Sequence, residues 1–296
     1  MTTACEAIRV KLGNVLYLTD FSPTSDSALR YVRAVTEQFE AKILVTHVIE
    51  WPEYRFVPPE GWALVENSSE DAARRQLESF GERLAGIPHE LVLRRGEVWQ
   101  ETAEVIREND VRLVVVGTHG RTGLRRFLMG SVAEEVVRQA HRPVLTVGPG
   151  VSRNTSSGTR VERVVLATDF GDASLGAIPC ALSLAEQCGA RLSLLHVLKP
   201  QGISEQDLKQ LKEEAQKKLR ARAARPGSGQ SVAEVEVRFG DPTEQICRYA
   251  REKRADVLVL GLRRAAEHVG MATHVLHSTA HAVLCAAPCP VLSVMN

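Results

Sequence analysis

The feature that most constrains this chain is that it repeats itself. The run Val15-Leu16-Tyr17-Leu18-Thr19-Asp20-Phe21 returns as Val164-Val165-Leu166-Ala167-Thr168-Asp169-Phe170, closing on the same Thr-Asp-Phe. Ala41-Lys42-Ile43-Leu44-Val45-Thr46-His47-Val48 is matched by Ala190-Arg191-Leu192-Ser193-Leu194-Leu195-His196-Val197, and Pro143-Val144-Leu145-Thr146-Val147 by Pro290-Val291-Leu292-Ser293-Val294. A period near half the chain length means two homologous units rather than a short-period solenoid. Between them lies a polar stretch rich in Gly, Ser and Thr, which reads as a linker. The expected organisation is a first domain over 1–150, a linker over 151–160 and a second domain over 161–296.

Within each half, short runs of Val, Ile and Leu alternate with helical patterns, the signature of a buried parallel sheet covered by helices on both faces. The pattern predicts strands near 13–19, 42–48, 89–95, 112–117 and 143–148, and helices near 25–39, 67–85, 98–109 and 131–141. The second half repeats that order. Ser22 with Pro23, and Asp241 with Pro242, place a capping side chain before a proline at the first helical position. The stretch 51–62, with Pro52, Pro58 and Pro59, breaks every period and reads as a long loop over a sheet edge.

Composition excludes several classes of function. With 37 basic and 36 acidic side chains the net charge is +1, so the bulk electrostatic drive of a nucleic-acid binder is missing and any anion site is local. The six cysteines form neither a CxxC motif nor a paired framework, which fits reduced thiols in a cytoplasmic protein. The apolar runs fall far short of the ~20 residues that span a bilayer. Cys180 and Cys188 share one helix and read as packed thiols.

In an open parallel sheet, ligands bind beyond the carboxyl ends of the strands. The residues there are Asp20 after the first strand, His47-Val48 after the second, and the stretch from Gly117 through Gly120, Arg121, Gly123, Arg125 and Arg126 to Gly130-Ser131 after the fourth. Glycines allow close backbone approach, Ser131 reads as a helix cap, and the helix N-terminus attracts anions, so this stretch suits phosphate. Neither GxxxxGK[ST] nor GxGxxG fits it, which removes a P-loop enzyme. The spacing Gly117, Gly120, Gly130, Ser131 resembles instead the Gly-x2-Gly-x9-Gly-Ser/Thr motif of the ATP-binding universal stress proteins. The Thr-Asp-Phe, His-Val and Pro-Val-Leu-x-Val runs extend that resemblance over nearly the whole chain.

The resemblance implies two tandem Rossmann-like α/β domains, each a five-stranded parallel sheet in the order 3-2-1-4-5, with ATP, optionally with Mg, in the first. It implies that Asp20 faces the adenosine and any metal, and that the Val48 backbone reads adenine. Gly117 and Gly120 would line ribose and phosphates, and Gly130, Ser131 and Val132 would hold the phosphates. Arg121, Arg125 and Arg126 are candidates to neutralise phosphate charge. In the second half Arg264 stands opposite Gly120 and His277 opposite Gly130, so weak or absent ATP binding is expected there.

His268, His274, His277, His281, Cys285 and Cys289 tempt a metal reading, since 277, 281 and 285 share a helical face, but they read more simply as ordinary helix and strand residues. His119 is a candidate general base or merely a loop residue. The basic stretch 209–225 reads as a solvated helix face. The expected function is a nucleotide-responsive stress or regulatory protein with an unidentified protein partner. The alternatives are a slow ATPase or phosphoryl-transfer enzyme, and an interaction-only protein without nucleotide. The closing strands of the two halves are sheet edges and are expected to pair within the chain as a pseudo-dimer, with a homodimer of the whole also open.

Overall fold

The computed structural model describes residues 13–50, 62–118, 129–151, 160–199, 204–223, 234–263 and 279–295. The first half runs β1 (Asn14–Leu18), α1 (Pro23–Phe39), β2 (Lys42–Ile49), α2 (Trp62–Arg83), β3 (His89–Arg95), α3 (Val98–Glu108), β4 (Val111–Gly117), α4 (Ser131–Gln139) and β5 (Val144–Val147). The second runs β6 (Arg163–Ala167), α5 (Asp172–Cys188), β7 (Arg191–Leu198), α6 (Glu205–Ala223), β8 (Glu234–Phe239), α7 (Pro242–Glu252), β9 (Val257–Leu262), α8 (Thr279–Ala286) and β10 (Val291–Met295).

The caps explain where several helices begin. Ser22 Oγ accepts the Ser25 N–H at the start of α1, and Asp241 does the same for Glu244 in α7, each with proline just inside the helix. At α3 the Glu97 carboxylate accepts from the N–H groups of Trp99 and Gln100. Helix α2 starts at Trp62, earlier than its apolar periodicity predicts. The loop expected over 51–62 therefore ends one residue sooner, and 51–61 lie outside the described residues.

The strands form one ten-stranded sheet in the order β3-β2-β1-β4-β5-β10-β9-β6-β7-β8. Each half has the expected 3-2-1-4-5 order, parallel throughout. The halves meet where β5 pairs antiparallel with β10, Thr146 opposite Val291 and Val144 opposite Ser293. Each closing strand thus covers the other's open edge, the internal pairing expected of the repeat.

Side chains alternate between two apolar layers, because successive strand residues point to opposite faces. Val15 and Tyr17 join α1 and α2 on one face, whose layer continues into α5 and α6 of the second half. Leu16 and Leu18 join α3 and α4 on the other, and that layer continues into α7 and α8. Both cores therefore cross the β5–β10 seam. Cys180, Cys188, Cys247, Cys285 and Cys289 are free, buried thiols, and burial pushes Cys188 up to about 11 and Cys289 up to about 12. Helix α6 exposes most of its charged face and buries Ala215 and Leu219. Among the described residues no helix is long and apolar enough to cross a membrane.

Candidate functional site

In each half the strand order reverses between strands one and four, and there the connections leave in opposite directions and open a crevice. In the first half that crevice is a cleft of about 720 Å³, lined by Thr19, Asp20, His47, Val48, Gly117 and residues 130–133, with α2 as one wall. Ligand pockets are typically ~300–1,000 Å³.

The turn after β1 is held in an unusual conformation. Phe21 has φ 63°, a left-handed value that a side chain with a Cβ rarely adopts. The Phe21 N–H donates to Thr19 Oγ1 at 3.0 Å, and the Ser22 N–H to Asp20 Oδ1 at 3.0 Å. Thr19 Oγ1 lies 2.6 Å from Ser25 Oγ, and Tyr17 donates its hydroxyl to the Ser25 carbonyl at 2.7 Å. Desolvation, the main effect on that phenol, pushes it up to about 12, so it stays a donor. From β2, the His47 ring packs on Phe21 with centroids 4.3 Å apart, and its Nδ1–H donates to the Thr19 carbonyl at 2.8 Å. The second half repeats the lock: Phe170 has φ 63°, and His196 stacks on it at 4.4 Å while donating to the Thr168 carbonyl at 2.7 Å. Thr-Asp-Phe and His-Val, separate runs in the sequence, are thus two halves of one brace that fixes the position of Asp20.

Val48 offers a backbone edge. The Lys42 N–H and Thr46 carbonyl bond towards β1, whereas the Ile43 N–H and Ile49 carbonyl bond towards β3. The alternation turns the N–H and C=O of Val48 towards β1, and β1 has ended by then at Leu18. Donor and acceptor therefore project side by side into the cleft.

At the other end lies the N-terminus of α4. Gly130 is its N-cap and has no side chain to satisfy the first-turn N–H groups. This corrects the expectation that Ser131 caps the helix: Ser131 is its first residue. The Gly130 N–H donates to the Thr118 carbonyl at 2.7 Å, and the Gly130 carbonyl accepts from Glu134 at 2.9 Å, which fixes the direction from which α4 leaves the cleft.

Gly117 is constrained from a second side. It lines the cleft, and a Cβ there would also press on the helix behind it, 3.0 Å from the Ser25 nitrogen and 3.1 Å from its Cα. The glycine lets α1 cross close over β4.

Asp20, Val48, Gly117, Gly130, Ser131 and Val132 therefore line one cleft. Gly120 and Arg121, like His119, Arg125 and Arg126, lie outside the described residues. The sequence reading missed Ser69, Ala72, Ala73 and Gln76 of α2, which form the wall facing β2. Their spacing of three, one and three residues was legible as one helical face, but small and polar residues there carry no signal of a ligand.

The corresponding cleft of the second half measures about 160 Å³. Asp169 Oδ1 accepts the Gly171 N–H at 2.9 Å and the Ser174 hydroxyl at 2.6 Å. Against desolvation, which raises it, these bonds and the nearby Arg263 guanidinium hold the Asp169 carboxyl below its ordinary range. A Cβ on Gly171 would lie 2.8 Å from an Arg263 nitrogen, so that arginine crowds the turn. Burial, the largest influence, lowers the His196 pKa. Arg264, His277 and Ser278 lie outside the described residues, as do His268 and His274. Among the described residues no group of three or more His, Cys, Asp or Glu side chains is placed to hold a metal ion.

Fold and cleft define a class: a tandem α/β protein with a ligand-sized crevice at the switch point of its first half. A model of the universal stress protein family matches residues 11–148 and again 160–294, and the chain belongs to that family. Universal stress protein MJ0531 of Methanocaldococcus jannaschii is 30% identical over 132 residues, covering 44% of this chain and 78% of its own. Universal stress protein MJ0577 of the same organism is 28% identical over 165 residues, covering 47% of this chain and 96% of its own. A crystal structure of a universal stress protein from Archaeoglobus fulgidus matches the tandem fold at 21% identity and a TM-score of 0.68, covering 96% of this chain and 99% of that one.

Proposed function

We propose that this protein binds ATP in the cleft of its first half and works as a nucleotide-responsive regulatory protein of the cytoplasm. The observation that carries the reading is the pairing of two unlike binding ends in one cleft of about 720 Å³. At one end the Val48 N–H and C=O stand side by side, complementary to the N1 acceptor and N6 amino donor of adenine and mismatched to guanine. At the other, the uncapped N-terminus of α4 presents N–H groups and a positive dipole end to phosphate. Asp20, fixed by the Phe21–His47 brace, lies between them, where its carboxylate serves a ribose hydroxyl or a phosphate-bound Mg ion. Gly120 and Arg121 belong to the same reading as phosphate-side contacts, on the family motif alone.

In this reading 1–150 is the nucleotide domain, 151–160 the linker and 161–296 a second domain without nucleotide. The buried thiols suit a reducing compartment. Occupancy of the cleft would alter the surface shown to a protein partner or to a second copy of the chain. The test is to denature freshly purified protein, identify released nucleotide by chromatography, and titrate the stripped chain with ATP and GTP. Close to one ATP per chain, with GTP weaker, is expected. No nucleotide and no binding would overturn the reading, and sustained turnover at ~1–10 per second would replace it with an enzyme.

A further inference from the structure

A second groove of the first half shares none of the described lining residues of the cleft. Asp26, Arg30 and Arg33 follow one another at helical spacing on one face of α1, and Arg83 reaches the same place from the end of α2. The groove they line holds about 440 Å³, within the ~300–1,000 Å³ usual for small-molecule sites. Its described lining carries three guanidinium groups against one carboxylate, in a chain whose net charge is only +1. The positive excess is therefore local, and a concave wall concentrates its field.

The arginines are held before any ligand arrives. Arg30 lies over the Tyr31 ring, 4.7 Å from its centroid, and donates to the Tyr31 hydroxyl at 2.9 Å. Arg83 lies over the Phe80 ring at 4.9 Å and bonds Asp26. Arg33 donates to the Arg83 carbonyl at 3.3 Å and stands 3.8 Å from Glu37. Restricting long side chains in advance lowers the cost of ordering them on a ligand. The pairs with Asp26 and Glu37 are half exposed and weakly held, so they leave the guanidinium groups able to take a stronger anion.

The repeat shows that the fold does not ask for these charges. Between the Thr-Asp-Phe and His-Val runs the two halves align without a gap, and Asp26, Arg30 and Arg33 correspond to Leu175, Pro179 and Leu182. Leu182 is buried in the apolar layer of α5, and Leu175 packs against it. The same helix thus forms with no charge at any of the three positions, and the arginines of α1 are an addition to the scaffold.

We propose that this groove binds a small molecule carrying phosphate groups, gripped between Arg30 and Arg33 on one side and Arg83 on the other. Planar guanidinium groups meet phosphate oxygens two at a time, in a fork that suits a tetrahedral anion better than a point charge does. The concave, small-molecule-sized shape favours a phosphate ester or polyphosphate over an acidic segment of a protein, which needs a wider contact surface. The site is independent of the ATP reading, and it gives the first half a second place for phosphate, away from α4.

The experiment titrates the full chain with inorganic pyrophosphate by calorimetry at about 0.15 M salt, where long-range surface attraction is screened. Arg30→Gln combined with Arg33→Gln is expected to weaken binding about tenfold, with an unchanged urea midpoint to show that the fold is kept. Arg30→Lys combined with Arg33→Lys keeps the charge but loses the fork, and should weaken it about threefold. Arg248→Gln, on the exposed face of α7, and Gly130→Asp, at the cleft, leave it unchanged. Equal binding by the glutamine pair would overturn the proposal, as would no binding by the unaltered chain at millimolar pyrophosphate. A loss confined to Gly130→Asp would place the pyrophosphate in the cleft and overturn it too. A glutamate-rich peptide that binds more tightly than pyrophosphate, and is lost in the glutamine pair, would assign the groove to an acidic protein instead.

Discussion

The two halves share strand order, the positive-φ phenylalanine and the histidine brace, yet one opens a cleft of about 720 Å³ and the other about 160 Å³. The braces are nearly superimposable in their distances, 2.8 and 2.7 Å from ring to carbonyl. What differs is the filling. In the first half Asp20 takes the Ser22 N–H and lines the larger cleft, while Asp169 takes the Gly171 N–H and the Ser174 hydroxyl with Arg263 beside it. A duplicated fold thus retains its scaffold while the cleft that scaffold opens differs in size and lining between the two copies.

The strongest way to break this comparison is at the glycines that let helix one of each half cross strand four. A Cβ on Gly261 would lie 2.0 Å from the Ala173 carbonyl oxygen, against 3.0 Å from the Ser25 nitrogen for Gly117. Gly261→Ala is expected to destabilise the protein by about 3 kcal/mol and Gly117→Ala by about 1 kcal/mol, measured by urea unfolding. Equal losses would mean the two crossings are not as different as they are built. Next is Gly130→Asp, which sets a carboxylate against the phosphate-facing N-terminus. ATP binding should fall about 100-fold, the equivalent of about 2.7 kcal/mol of lost charge-assisted bonding, with little change in the unfolding midpoint.

The aspartates sharpen the contrast. Asp20→Ala should weaken ATP about tenfold, the scale of one charge-assisted bond, while Asp169→Ala leaves ATP affinity unchanged and lowers stability instead. An equal loss of ATP affinity in both would place nucleotide in both halves. The smallest effect is in pH. Burial disfavours the charged form of His196, so its pKa in the fold lies below the unfolded value of ~6.5. The unfolded state therefore takes up the proton first, and stability is full above that value and falls as pH drops below it. Asp169, also depressed, acts in the same direction at lower pH. His196→Gln should flatten the slope of stability between pH 6.5 and 5 by a fraction of a kcal/mol per unit, and an unchanged slope would assign it to other groups.

Much of this molecule was legible in residue order, and the reasons are particular. The strands are near-continuous runs of Val, Leu and Ile because both faces are buried, and the capped starts at Ser22-Pro23 and Asp241-Pro242 are local signals that need no tertiary context. Asp20, Val48, Gly117, Gly130 and Ser131 were singled out because the ends of parallel strands converge by topology, and Val132 through the family resemblance; all six line the cleft. The α2 wall was missed because small residues in a polar helix look the same whether they face a ligand or water. The packing of Gly117 against Ser25 was not legible, because a glycine in a sequence does not say what a Cβ there would meet.

By itself, then, the sequence determined the duplication, the order of elements and the residues at the strand ends, since periodicity and turn chemistry act over a few neighbouring residues. Tertiary structure alone decided how the halves face each other. The antiparallel β5–β10 seam joins the two half-sheets and runs both apolar layers through the two halves. That placement follows from burying two open sheet edges against each other, a condition satisfied in space between residues far apart in the chain.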